Sequence, residues 1–314
     1  MKFERKHLLG LADLSKEEIE FILSTAVPMK KVFTRSVKKV PALRGKTVLN
    51  LFYEPSTRTR TSFEIAAKRL SADVISISSS TSSIAKNESL VDTAKTVEAM
   101  NADIIVLRHN ASGAPHFLSR RSCSPIINAG DGIHEHPTQT LLDLFTMKER
   151  KGEIEGLKVA IVGDILHSRV SRSNIIGISK LGGEVRVVGP PTLIPKEIEQ
   201  LGCKVYHNLK EGLDGVDVIY CLRIQFERQK QKLFPSLAEY IRLYSITKDR
   251  VKLANKDVIV MHPGPMNRGI ELSADVAYSE CSTITDQVTN GIAIRMAVFF
   301  LILGGGHSVQ EITD

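Results

Sequence analysis

The stretch Glu54-Pro55-Ser56-Thr57-Arg58-Thr59-Arg60 concentrates hydroxyl and guanidinium groups in one short segment. Forked guanidinium groups match phosphate oxygens two at a time, and the hydroxyls add further donors. Before the stretch lies an apolar run, Thr47 to Tyr53, that reads as a strand. After it, Phe63, Ala66, Ala67 and Leu70 have the spacing of one helix face. A strand that turns directly into a helix aims unpaired backbone N–H groups and the positive end of the helix dipole at one small volume. The pattern therefore predicts a phosphate or phosphate-like ligand. A plain polar N-cap with a solvated basic turn fits the same residues, and Thr61-Ser62-Phe63-Glu64 fits a capping box that would start the helix later.

Other residues that can do chemistry fall next to predicted strands. Arg108, His136, Arg169, Arg223 and Arg228 lie in loops or at helix starts, where parallel sheets keep their sites. Each alone is more often a surface charge. Together, converging arginines suit a ligand with several carboxylates or phosphates. Gly163-Asp164 lacks a Gly-x-Gly-x-x-Gly context, and no Gly-Lys-Ser/Thr phosphate loop occurs. His134 and His136 stand two apart with no further ligand cluster evident nearby in the sequence, so a site without a metal or other cofactor is expected.

The elements that must position these groups follow from pattern. Ser15-Lys16-Glu17-Glu18 is a capping box, and Ile19, Ile22, Leu23 and Ala26 follow on one face, predicting an opening amphipathic helix. Strands are expected at Asp73 to Ser78, Ile104 to Leu107 and Pro125 to Asn128, with a helix from Ser89 to Met100. Asn128-Ala129-Gly130-Asp131-Gly132 reads as a turn-rich approach to a domain boundary. Beyond it a helix over Thr138 to Arg150 leads into a second alternation, with strands at Leu157 to Gly163, Glu184 to Val188, Val216 to Leu222 and Val258 to Met261. The expected fold is α/β, with two domains that are each a parallel sheet flanked by helices: residues 1–134 plus 291–314, and residues 135–290.

With 314 residues, 42% apolar and 25% charged, the chain has the composition of an ordinary globular protein. Its net charge of +7 admits nucleic acid, anionic membranes or small anions. Aromatic residues are sparse and not interleaved with basic ones, which points away from nucleic acid and toward small anions. Cys123, Cys203, Cys221 and Cys281 form no Cys-x-x-Cys pair and are expected to be reduced. No secretory pattern opens the chain, and the apolar run Ala297 to Gly304 is short for a bilayer. A cytoplasmic protein without a membrane partner is expected, its C-terminal helix packing on the first half.

Ser56-Thr57-Arg58-Thr59-Arg60 and His136-Pro137-Thr138-Gln139 together resemble the signatures of the aspartate and ornithine carbamoyltransferases. Lys86 with Glu88, His167-Ser168-Arg169, Arg223-Ile224-Gln225 with Glu227-Arg228, and His262-Pro263-Gly264-Pro265 extend the resemblance to the aspartate branch from end to end. The last of these departs from the His-Cys-Leu-Pro pattern of ornithine enzymes.

The resemblance implies carbamoyl phosphate bound by Ser56, Thr57, Arg58, Thr59, Arg108, His136, Gln139, Pro263 and Gly264. It implies L-aspartate held by Lys86, Arg169, Arg223 and Gln225, and a catalytic set of Arg58, Thr59, Lys86, Arg108 and His136. Ser82 and Lys86 would enter the site of a neighbouring subunit in a homotrimer. Here Asn87 replaces the family's usual Gly, and Asn tolerates positive φ better than most residues. Glu54 and Arg228 would take part in domain closure. Acceptors other than aspartate, a catalytically silent assembly subunit, and a regulatory or dihydroorotase partner remain open at this level.

Overall fold

The computed structural model describes residues 3–78, 89–228 and 233–304. It divides into two compact units, Met1–Leu142 with Thr289–Asp314, and Asp143–Val288. The sequence placed the first break between residues 134 and 135; the units part eight residues later, inside a continuous helix. The second break falls at 288/289 rather than 290/291, likewise inside a helix.

In the first unit, helix α1 (Lys16–Lys31) begins at the expected capping box: Ser15 accepts from the Glu18 amide while Glu18 accepts from the Ser15 amide. There follow β1 (Thr47–Phe52), α2 (Thr57–Arg69), β2 (Asp73–Ser78), α3 (Leu90–Ala99), β3 (Ile104–His109), α4 (Ala114–Ser119), β4 (Ile126–Asp131) and α5 (Pro137–Lys151). The strands form a parallel sheet in the order β2-β1-β3-β4. Only edge strand β2 is largely open, whereas β1, β3 and β4 are apolar and buried over most of their length, as strands covered on both faces must be.

The Asn128 to Gly132 segment is not the break expected from its composition, because β4 continues through Asp131. Its polar side chains are satisfied internally. Asn128 donates from Nδ2 to the Leu9 carbonyl at 2.8 Å and to Asp131 Oδ1 at 2.8 Å, and Gly130 supplies a φ of 112° that disfavours a side chain.

The second unit contains β5 (Lys158–Val162), α6 (Arg169–Lys180), β6 (Glu184–Val188), β7 (Cys203–Tyr206), α7 (Leu209–Leu213), β8 (Val218–Cys221), α8 (Leu237–Tyr244), α9 (Lys248–Val251), β9 (Ile259–Met261) and α10 (Ala274–Ala277). Its sheet is parallel, in the order β7-β6-β5-β8-β9. Cys203 and Cys221 are buried, and burial raises both thiols, Cys203 to about 11. All four cysteines are unpaired with one another.

Helix α11 (Ile284–Leu303) is longer than the apolar run suggested, and by length and composition alone it passes for a membrane span. Most of it is enclosed by protein. Phe299 packs edge-on against Phe63 of α2 with centroids 5.7 Å apart. The buried Arg295 donates to Ser62 Oγ and the Gly291 carbonyl, each at 2.9 Å, and lies over the Phe63 ring. These contacts return the end of α11 to the first unit, as expected.

Candidate active site

At the C-terminal edge of the first sheet, α2 starts at Thr57, so Ser56 to Thr59 form its N-terminus and the later start at Thr61 does not occur. Ser56 is extended (φ −161°, ψ 94°) and its hydroxyl does not cap the helix. The amide of Arg60 closes an intrahelical bond, donating to the Ser56 carbonyl at 3.1 Å. The amides before it point beyond the helix end, and the first turn carries no acidic side chain to offset the dipole. Thr57 and Arg58 are exposed there, while Thr59 and Arg60 are half-buried, Arg60 lying 3.6 Å from Glu64. Such a helix start favours an anion.

Neighbouring strands bring other groups to the same edge. Phe52 pairs with Arg108 across β1 and β3, and the Tyr53 amide donates to the Arg108 carbonyl at 2.8 Å. The Arg108 guanidinium donates to Glu54 Oε1 at 2.6 Å and to the Ala129 carbonyl at 3.2 Å. Glu54 thus engages an arginine within its own unit, a contact that the sequence did not reveal. Beyond β4, buried His136 stands immediately before α5, and Gln139 lies in that helix's first turn. Arg58, Thr59, Arg108, His136 and Gln139 therefore all belong to strand ends or helix starts of one unit.

The loop into His136 is fixed by two buried carboxylates that sequence reasoning passed over. Glu135 accepts from the Leu11 amide at 2.7 Å. Asp131 accepts from the Asn128 side chain, the Gly113 and Glu135 amides, and His134 Nδ1 at 3.0 Å. Burial pushes the Asp131 carboxyl up, but the bonds from His134, Asn128 and Gly113 outweigh it and hold the group below the usual carboxylate range. His116 also approaches: one ring nitrogen each from His116 and His134 and an Asp131 oxygen lie within 4.8 Å of one another. The sequence showed no ligand cluster near His134; the fold brings one possible group to it. His116 arrives from α4, so local spacing could not show it.

The second unit gathers its arginines in the same way. Arg169 opens α6 and is buried, with Ser168 as the cap and no acid in the first turn. Asp164, fully buried after β5, accepts from His167 Nδ1 at 2.8 Å and from the Gln225 amide at 3.2 Å. The His167 carbonyl accepts from Gln225 Nε2 and from Arg228, each at 3.0 Å. This hub joins the loops after β5 and β8, setting Arg169, Gln225 and Arg228 on adjoining segments. Arg223 pairs with Glu227. Burial raises the Glu227 carboxyl, and the Arg223 hydrogen bond more than offsets that, leaving it low.

Pro263 and Gly264 follow β9 and so belong to the second unit. Gly264 has φ 62°, its amide donates to His262 Nδ1 at 2.8 Å, and the Gly264-Pro265 bond is cis. Ser82 and Lys86 lie outside the described residues.

The sequence matches "Aspartate/ornithine carbamoyltransferase, carbamoyl-P binding domain" over residues 6–149 and "Aspartate/ornithine carbamoyltransferase, Asp/Orn binding domain" over residues 155–302. The chain belongs to the aspartate/ornithine carbamoyltransferase family. It is 61% identical to the aspartate carbamoyltransferase catalytic subunit of Moorella thermoacetica, covering 98% of this chain and all of the relative. The catalytic subunit of Syntrophomonas wolfei is 59% identical over both full lengths. Among solved structures, Trypanosoma cruzi aspartate transcarbamoylase in complex with N-(phosphonacetyl)-L-aspartic acid superposes with a TM-score of 0.86 at 30% identity, covering 96% of this chain and 97% of that one. Ornithine carbamoyltransferase from Pyrococcus furiosus gives 0.86 at 31% identity, covering 98% and 100%.

Proposed function

We propose that this chain is an aspartate carbamoyltransferase catalytic chain: it transfers the carbamoyl group of carbamoyl phosphate to the amine of L-aspartate, giving N-carbamoyl-L-aspartate and phosphate, the second step of pyrimidine synthesis. The observation that carries the acceptor assignment is the second unit's cation set. Arg169 at the start of a helix with no acid in its first turn, with Arg223 and Arg228 in the segment that follows β8, suits a dicarboxylate and disfavours the ammonium of ornithine.

In this reading the first unit binds the donor. Backbone amides at the start of α2, with Ser56, Thr57, Arg58 and Thr59, hold the phosphate. Thr59, Arg108 and His136 hold the carbonyl oxygen and stabilise the negative charge that grows on it as the amine attacks. Gln139 holds the carbamoyl amino group, and Pro263 and Gly264 complete the donor's surroundings. The carbon–oxygen bond to phosphate then breaks, phosphate leaves with the bonding pair, and the amine's proton passes to it. Positioning and electrostatics supply the catalysis. The second unit holds aspartate through Arg169, Arg223 and Gln225. Lys86 and Ser82 reach the site from a neighbouring copy in a cytoplasmic homotrimer, and Glu54 and Arg228 act in closure.

The test is initial rate with carbamoyl phosphate and either aspartate or ornithine. Turnover with aspartate alone supports the reading; turnover with ornithine alone overturns it.

A further inference from the structure

We propose that His116, Asp131 and His134 form a binding site for a borderline divalent transition ion, zinc foremost, separate from the groups assigned to carbamoyl transfer. The three ligand atoms lie within 4.8 Å of one another, on α4, at the end of β4 and in the loop that follows. Asp131 Oδ2 and His134 Nδ1 are 3.0 Å apart. Two ligands on one tetrahedral zinc, with bonds of roughly 2.0–2.1 Å, sit about 3.3 Å apart, so this pair already has nearly the spacing an ion requires. The His116 and His134 rings pack edge-on with centroids 5.5 Å apart, which holds the third nitrogen near that pair.

Chemistry and surroundings narrow the ion. Two imidazoles and one carboxylate favour zinc, cobalt or nickel over magnesium or calcium, which seek oxygen. Lys6, Arg120 and Asp13 line the cleft beside His116. That cleft, about 280 Å³, leaves a path from solvent to His116.

The supporting shell is built as metal sites are built. Asp131 is buried and oriented by the Asn128 side chain and the Gly113 and Glu135 amides. Asp13 Oδ2 lies 3.6 Å from His116 Nε2, too far for a hydrogen bond but near enough to favour that ring nitrogen's keeping its proton. Nδ1 of His116 is enclosed and has no hydrogen-bond partner among the described residues. An ion here takes the place of the proton between His134 and Asp131, the neutral ring carrying its proton on the other nitrogen. It ties α4 to the loop that runs into His136, as a clamp on that loop and not as a participant in the transfer.

The test uses the full chain, stripped with chelator and titrated calorimetrically with zinc; cobalt absorption serves as the geometric probe. The expected result is one zinc per chain and a thermal midpoint that rises with zinc. In His116→Ala and, separately, His134→Ala, affinity falls at least tenfold, the loss typical of removing a ligand or its support. His116→Ala keeps metal-free carbamoyl transfer unchanged, showing that the fold survives. Absence of zinc binding by the wild type overturns the proposal, and so does equal binding by a folded His116→Ala variant.

Discussion

Replacing Glu54 by Gln preserves the side chain's shape and removes its charge from the bond to Arg108. That bond is 2.6 Å long, and the side chains are only 20% and 11% exposed, so water screens it weakly. A hydrogen bond to a charged group contributes about 1.5–3 kcal/mol. If that energy holds Arg108 where the carbonyl oxygen develops charge, its loss appears in the transition state and lowers kcat by about 10- to 100-fold, at roughly 1.4 kcal/mol per factor of ten. The phosphate site proposed at the start of α2 does not use this bond, and deleting a carboxylate cannot repel a dianion. Carbamoyl phosphate affinity is therefore expected to hold or tighten. Steady-state kinetics at saturating aspartate, paired with calorimetric binding of carbamoyl phosphate, separate the two quantities. An unchanged kcat, or weakened donor binding with kcat intact, would refute a role for the Glu54–Arg108 bond in placing Arg108, beside the part proposed for Glu54 in closure.

Arg223→Ala should raise the KM for aspartate by about 10- to 100-fold, the value of a lost charged hydrogen bond, while carbamoyl phosphate binding stays constant; an unaltered aspartate KM would remove Arg223 from the acceptor site. Asp131 gives a pH prediction. Its folded carboxyl lies below the ordinary 3.8, so its stabilising contribution is complete above that value and is lost as pH falls through the lower folded value. Unfolding midpoints of Asp131→Asn should accordingly be lower than wild type at pH 7 and fall less steeply below about pH 4; parallel pH curves would contradict this. Gly10→Ala puts a Cβ 2.3 Å from Glu135 Oε1, forcing the carboxylate off the Leu11 amide. A loss of about 1–3 kcal/mol is expected, seen as a lower thermal midpoint, and an unshifted midpoint would show that the Glu135 anchor is dispensable.

What the sequence could convey differs between elements for physical reasons. Buried β1 reads as a nearly continuous apolar run and edge strand β2 as an alternating one, and both, with β6, were legible almost to the residue. The end of β4 was not, because Asn128 and Asp131 look like turn formers until their tertiary bonds are known. The four-residue β7 is too short for periodicity to declare it. The helix expected from Gly291 to Leu303 begins earlier, at Ile284, because polar Asp286, Gln287 and Asn290 break the apolar pattern of its first turns.

The site divides in the same manner. Ser56 to Arg60 and His136 to Gln139 are contiguous, so the linear pattern alone offers them as candidates. The bond between Glu54 and Arg108 spans two strands, the Asp164 hub joins two loops, and the meeting of His116 with His134 depends on where α4 packs. None of these leaves a local signature. They concern what orients the reacting groups, which a linear pattern does not encode.

The central claim, that aspartate is the carbamoyl acceptor, is tested most directly by a competition. The protein is given carbon-13-labelled carbamoyl phosphate with equimolar aspartate and ornithine, and the labelled product is identified by NMR. Carbamoyl-aspartate as the sole enzymatic product is the predicted result; labelled citrulline, or no transfer to either amino acid, would contradict it.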